Sequence, residues 1–106
     1  MNLSSKIYVA GHRGLVGSAI TRTLTKQGYA NLLLKTRQEL DLLDAQAVAN
    51  FFKKEKPDFV FLAAAKVGGI MANKTYPADF IYENLTVQNN VIHNAYKYNI
   101  KKLLSL

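Results

Sequence analysis

The segments 6–10, 31–36 and 58–63 each carry an unbroken apolar run, Ile7 to Ala10, Leu32 to Leu34 and Phe59 to Ala63. Runs of this length with no polar alternation predict strands covered on both faces, as in a parallel sheet. Between them the apolar period changes to that of a helix. Val16, Ala19, Ile20 and Leu24 predict a first helix, stopped near Gln27 by Gly28. Ala45, Val48, Ala49, Phe51 and Phe52 predict a second, with Asp44 as N-cap and Lys56-Pro57 as its end. Its Val48 and Phe52 are expected to pack onto the sheet. Pro77 opens the longest helix, to about Tyr98, with Phe80, Ile81, Leu85, Gln88, Val91, Ile92 and Ala95 on the face expected to be buried. Glu39 to Leu43 alternates and predicts a short extended piece. Residues 101–106 (KKLLSL) predict a fourth strand, whose apolar residues expect cover on both faces.

Strands and helices in this order predict an α/β fold: a Rossmann-like doubly wound parallel sheet, expected to be truncated after about four strands. Right-handed crossovers place strands 31–36 and 58–63 on opposite sides of strand 6–10. The winding then reverses beside the turn after residue 10, where such sheets open a ligand crevice.

The 106 residues make one domain, and 49% hydrophobic content excludes disorder. Without cysteine there is neither a disulfide framework nor a thiolate metal site, and no apolar run is long enough to span a membrane. A soluble, cytoplasmic protein is expected, with no membrane partner. The net charge of +7 calls for an anionic partner. Its lysines are scattered, with pairs at Lys53-Lys54 and Lys101-Lys102 and no arginine-rich helix. A polyanionic cofactor therefore fits better than nucleic acid, which stays as a competing reading.

The candidate chemistry sits in the turn after the first strand. Gly11, Gly14 and Gly17 follow a strand and open a helix, the context in which a glycine triplet cradles a pyrophosphate. Gly11 permits the sharp turn, Gly14 lets backbone approach the phosphates, and Gly17 allows close packing of the helix. The bare N–H groups at the helix start face the anion. The alternative is a tight turn with no ligand. At the end of the second strand stand Lys35, Thr36 and Arg37, with no acid before Glu39. A basic side chain there pairs with a 2′-phosphate and an acidic one with a ribose hydroxyl, so this pattern favours NADP over NAD. Arg13 is expected to close on the phosphate from the turn. Both arginines also read as solvated residues. Asp41 is placed either to accept from an adenine amino group or to cap the next helix. Ala63, Ala64 and Ala65 leave room at the end of the third strand. Lys66 lies in a loop of functional length, 66–77, where it meets a substrate phosphate or simply solvent. His12 helps shape the glycine turn, His93 reads as a surface or packing residue, and neither suggests a metal site.

Three segments carry a resemblance: AGHRGLVGSAI (10–20), TRQELDLLD (36–44) and LAAAKVGGIMANKTYPADFIYENL (62–85). Over 6–106 the chain resembles the extended short-chain dehydrogenase/reductases, and within them the NADP-dependent epimerase/reductases of a GDP-linked 4-keto-6-deoxy sugar. The resemblance implies that Gly11, Arg13, Gly14, Leu15, Val16 and Gly17 hold the pyrophosphate and 2′-phosphate side of NADP, with Arg37 adding to the phosphate site. It implies that Asp41 and Leu42 border the adenine and that Ala63, Ala64 and Ala65 line the ribose side. Lys66, Val67 and Gly68 then belong to a loop bordering the substrate, and Asn84 to a helix position that supports the catalytic group. Helix 78–99 is implied in a homodimer interface.

The family's catalytic serine, its Tyr-x-x-x-Lys pair and its substrate domain have no counterpart in these residues. Tyr98 and Lys102 match the bare spacing but straddle a helix end. The expectation is an NADP-binding portion without catalytic residues and without turnover of its own. A non-catalytic NADP-binding module and a basic nucleic-acid-binding domain are the alternatives.

Overall fold

The computed structural model describes residues 1–64 and 77–106. Its four strands are β1 (Ile7–Ala10), β2 (Leu32–Leu33), β3 (Phe59–Leu62) and β4 (Lys102–Ser105), and its helices are α1 (Leu15–Lys26), α2 (Ala45–Glu55) and α3 (Pro77–Lys97). The sheet order is β2-β1-β3-β4 and every pairing is parallel. β2 and β3 therefore flank β1, as the crossover rule requires.

Alternation along the strands divides the core into two layers. Ile7 and Val9 face Leu24, Ile20 and Tyr29, so α1 covers one side. Tyr8 and Ala10 face the other way, with Val60 and Leu62, onto α2 and α3. Val48 and Phe52 of α2 are fully buried there. Each such side chain stabilises the fold by about 1.5–3 kcal/mol. The rings of Tyr8 and Phe51 lie 4.6 Å apart, with Phe52 edge-on to both.

The helix ends follow their sequence signals. Asp44 caps α2 by accepting from the backbone N–H groups of Gln46 and Ala47, each at 3.1 Å. Lys56 closes α2 in the left-handed region, at φ 45°. Gly28, at φ 97°, turns the chain after α1. Past α3, Asn99 adopts φ 57° and the Ile100 N–H returns to the Ala95 carbonyl at 2.9 Å. Tyr98 thus lies beyond α3 and Lys102 in β4, so these two share no helix face.

Four expectations need correction. β2 pairs through two residues and is half-buried rather than fully covered. Its only sheet neighbour among the described residues is β1, and Leu34 already leaves the ladder. Residues 39–43 form turns instead of an extended piece. Local side-chain bonds decide this: the Thr36 N–H donates to Glu39 Oε1 at 2.9 Å and the Leu43 N–H to Asp41 Oδ1 at 3.0 Å. On α3 the buried face carries Val91, Asn94 and Ala95, whereas Ile81, Leu85 and Ile92 are 55%, 53% and 43% exposed. The Asn94 side chain is admitted to the core because its amide donates to the Asn90 carbonyl at 2.7 Å. On β4, Leu103 is half-buried while Leu104 is exposed, as is Leu106 just past the strand.

Candidate functional site

At the carboxyl ends of β1 and β3 the chain encloses a cavity of about 510 Å³. Its position follows from the topology, because the helix that follows β1 covers one face of the sheet and the helix that follows the neighbouring β3 covers the other. The glycine turn forms one wall. Gly11 has φ +83°, and a Cβ there would lie 2.7 Å from Ala64 Cα. A Cβ on Gly17 would overlap the Gly11 carbonyl, so the helix seats directly on the turn. Gly14 differs from both. Its φ of −77° suits any residue, and an added Cβ would meet only the Gly11 oxygen, at 3.5 Å. The space in front of Gly14 is a cradle that a side chain would fill.

Gly14 is also the N-cap of α1. No side chain caps this helix start and no acid occupies its first turn. The first N–H groups of the helix therefore lack intrahelical partners and carry the positive end of its dipole. Leu15 and Val16, both exposed, line the cavity beside them. In the same turn, His12 Nδ1 is buried with no hydrogen-bond partner among the described residues.

A second wall comes from β2 and the turns that follow it. Lys35 and Arg37 line the cavity together with Leu40, Asp41, Leu42 and Leu43. Glu39 does not line it. Its carboxylate accepts from the Thr36 backbone, and that bond, then the Thr36 hydroxyl, holds its pKa below the ordinary 4.5, with Lys35 and His12 adding a smaller electrostatic pull. The acid nearest the end of β2 is thus committed to shaping the turn. Ala63 and Ala64 contribute from β3, and Glu83, Asn84 and Val87 from α3. Tyr8 forms part of the lining from β1, and burial pushes its phenol well above the usual range.

The structure therefore gathers Gly11, Gly14, Leu15, Val16, Arg37, Asp41, Leu42, Ala63 and Ala64 around one cavity. Gly17 is buried behind the turn, and Arg13 is exposed and does not line the cavity. Asp41 does not cap α2, which is the work of Asp44; it organises the turn before it. Ala65, Lys66, Val67 and Gly68 lie outside the described residues. Sequence reading passed over Tyr8, Leu40, Leu43, Glu83 and Val87. Tyr8 and Val87 have core-like spacing, and only folding shows that their ends reach the cavity. Leu40 could have been found, since an apolar residue at the centre of a polar turn needs a packing partner.

Comparison with known proteins agrees with this geometry. Residues 7–106 match the NAD dependent epimerase/dehydratase family. The chain is 65% identical over 103 residues to GDP-L-fucose synthase 1 of Arabidopsis thaliana, covering 97% of this chain and 32% of that protein. It is 56% identical over 101 residues to the GDP-L-fucose synthase of Escherichia coli K12, covering 95% of this chain and 32% of that one. Among solved structures, MlghC, a GDP-mannoheptose C4 reductase from Campylobacter jejuni with NADP bound, superposes with a TM-score of 0.94 at 58% identity. That match covers 99% of this chain and 33% of the reductase. The chain thus spans about a third of the length of the curated relatives it matches. With a strand-turn-helix cradle, a parallel sheet of the expected order and a family match over nearly all its length, the chain belongs to the NAD dependent epimerase/dehydratase family.

Proposed function

We propose that these residues form the NADP-binding, N-terminal portion of a GDP-L-fucose synthase, an epimerase/reductase acting on GDP-4-keto-6-deoxymannose. One observation carries the cofactor choice. Lys35 and Arg37 both line the cavity at the end of β2, while Glu39 is held in its own turn by Thr36. Two cations directly after β2, with the first acid of that wall, Asp41, four residues beyond Arg37, suit a 2′-phosphate. The substrate class rests on the relatives: those named above are GDP-L-fucose synthases and a GDP-mannoheptose reductase.

The residues present fit the cofactor. Gly14 keeps the cradle clear and the N–H groups at the start of α1 receive the pyrophosphate. Lys35 and Arg37 hold the 2′-phosphate, with Arg13 approaching from the turn. Leu40, Leu42 and Val87 give the adenine apolar walls, and Ala63 to Ala65 leave room for the ribose. When bound, NADPH supplies the hydride that reduces a ketone. Lys66, Val67 and Gly68 border the sugar in this reading. Tyr98 and Lys102 match the Tyr-x-x-x-Lys spacing but stand beyond α3 and in β4, so they form no catalytic pair. The chain by itself is therefore expected to bind cofactor without turning over substrate.

The exposed side of α3 supports a homodimer. Ile81, Leu85, Ile92 and Tyr96 follow one another at helical spacing and are 43–84% exposed, on a face that adjoins the buried side carrying Val91 and Ala95. A second copy presenting the same stripe would cover it in an isologous contact. No helix among the described residues is long and apolar enough to cross a membrane. A cytoplasmic location is part of the proposal.

Calorimetric titration of the chain with NADPH and with NADH tests the cofactor assignment. Tighter binding of NADPH is expected. Binding of neither, together with a salt-dependent shift of DNA, would favour the nucleic-acid alternative.

A further inference from the structure

We propose that Asn90, on α3, is a positioning residue that sets the chain's preference for an adenine base, acting through the Leu42–Leu43 peptide on Asp41. The proposal rests on the NADP reading above. Asn90 does not line the cavity. Its Nδ2 donates to the Leu42 carbonyl at 2.8 Å, in a half-buried bond between residues 48 apart in sequence. The N–H of the same peptide group, that of Leu43, donates to Asp41 Oδ1 at 3.0 Å.

One planar peptide is thus fixed at both ends. Rotating it would break both bonds, so the Asn90 amide dictates where the Asp41 carboxylate is held. This matters because the 36–44 segment has neither strand nor helix to orient it. Its apolar anchor, Leu40, is 7% exposed, and apolar packing alone is non-directional. The donor is itself well seated. The Asn90 carbonyl accepts from the amide of Asn94, which is 4% exposed.

Asp41 and Leu42 line the cavity beside the cations that would take the 2′-phosphate. A carboxylate there accepts from the 6-amino group of adenine. Hypoxanthine presents a carbonyl oxygen at that position and is refused.

Asn90→Ala removes the donor, and Asn90→Asp keeps the shape but presents only acceptors to the Leu42 carbonyl. Binding of NADPH and of its hypoxanthine analogue is measured by calorimetry on the 106-residue chain and on both variants. The wild type is expected to prefer NADPH. In the variants that preference falls about fivefold to tenfold, with stoichiometry unchanged. A loss of folded protein would lower the stoichiometry and leave the preference as it was. A wild type that binds both dinucleotides equally, or an Asn90→Asp chain that keeps the full preference, overturns the assignment. A wild type that binds neither removes the NADP reading itself, and this inference with it.

Discussion

Gly11 backs directly onto Ala64: a Cβ at residue 11 would sit 2.7 Å from the Ala64 Cα and 2.9 Å from the Ala63 carbonyl. The turn that forms one cavity wall is therefore seated on the end of β3, the strand that forms another. Gly11 also has φ +83°, so both backbone and space exclude a side chain. Gly11→Ala should destabilise the chain by about 1–3 kcal/mol for the conformation, with a similar further cost from overpacking. A thermal or urea melt checks this. A stability equal to wild type would mean that the turn has room to shift.

Gly14 makes the opposite prediction. Its backbone suits any residue and its Cβ space is open, so Gly14→Val should melt within about 1 kcal/mol of wild type while cofactor binding is abolished. Circular dichroism reports the first and calorimetry the second. Undiminished NADPH affinity in a folded variant would remove the pyrophosphate from this turn.

Arg37→Ala is expected to weaken NADPH by about 1.5–3 kcal/mol, the worth of a charged hydrogen bond, and to leave NADH nearly unchanged. Equal losses for the two cofactors would contradict the 2′-phosphate role. Arg13→Ala, on a residue outside the cavity lining, is expected to show the same selectivity at smaller amplitude.

Leu85→Glu and Ile92→Glu place a charge on the outer face of α3 and leave its buried face alone. Sedimentation velocity should show a dimer for the wild type and a monomer for each variant, with the helical spectrum retained. A wild type that sediments as a monomer at all concentrations would end the dimer proposal.

The Thr36 turn predicts an acid response. The Glu39 carboxyl is lowered from 4.5 chiefly by the Thr36 N–H, so the unfolded chain binds its proton more readily than the folded one. The contribution of Glu39 is present above the ordinary value and is lost as pH falls through the lowered one. Carboxyl titration followed by NMR should place Glu39 below an unstructured glutamate, and Thr36→Ala, which removes the hydroxyl but keeps the N–H, should raise it only part of the way toward the ordinary value. A Glu39 that titrates at 4.5 in the wild type would mean the turn is open in solution.

The continuous apolar runs Ile7 to Ala10 and Phe59 to Ala63 made β1 and β3 legible, because strands with helices on both faces of the sheet carry apolar side chains at every position. The same test overstated β2, where three leucines serve a strand paired over two residues. Periodicity placed α3 along the chain but assigned Ile81, Leu85 and Ile92 to its buried face. Apolar residues occupy more than one side of that helix, and only the packing partners choose between them. Residues 39–43 were misjudged because alternating polarity there reflects turns held by side chains.

The sequence by itself determined the strand and helix order, the glycine turn, the helix ends at Asp44 and Lys56, and the basic end of β2. Each depends on local chemistry: backbone freedom at glycine, capping by a carboxylate, and charge within a few residues. Only the tertiary structure decided which side chains surround the cavity. It brought Ala64 against Gly11, left Arg13 outside the lining, turned Glu39 into its own turn, and joined Asn90 to Leu42 across 48 residues. Contacts of that range are fixed by how the layers stack, and a one-dimensional pattern carries no record of the stacking until the chain has folded.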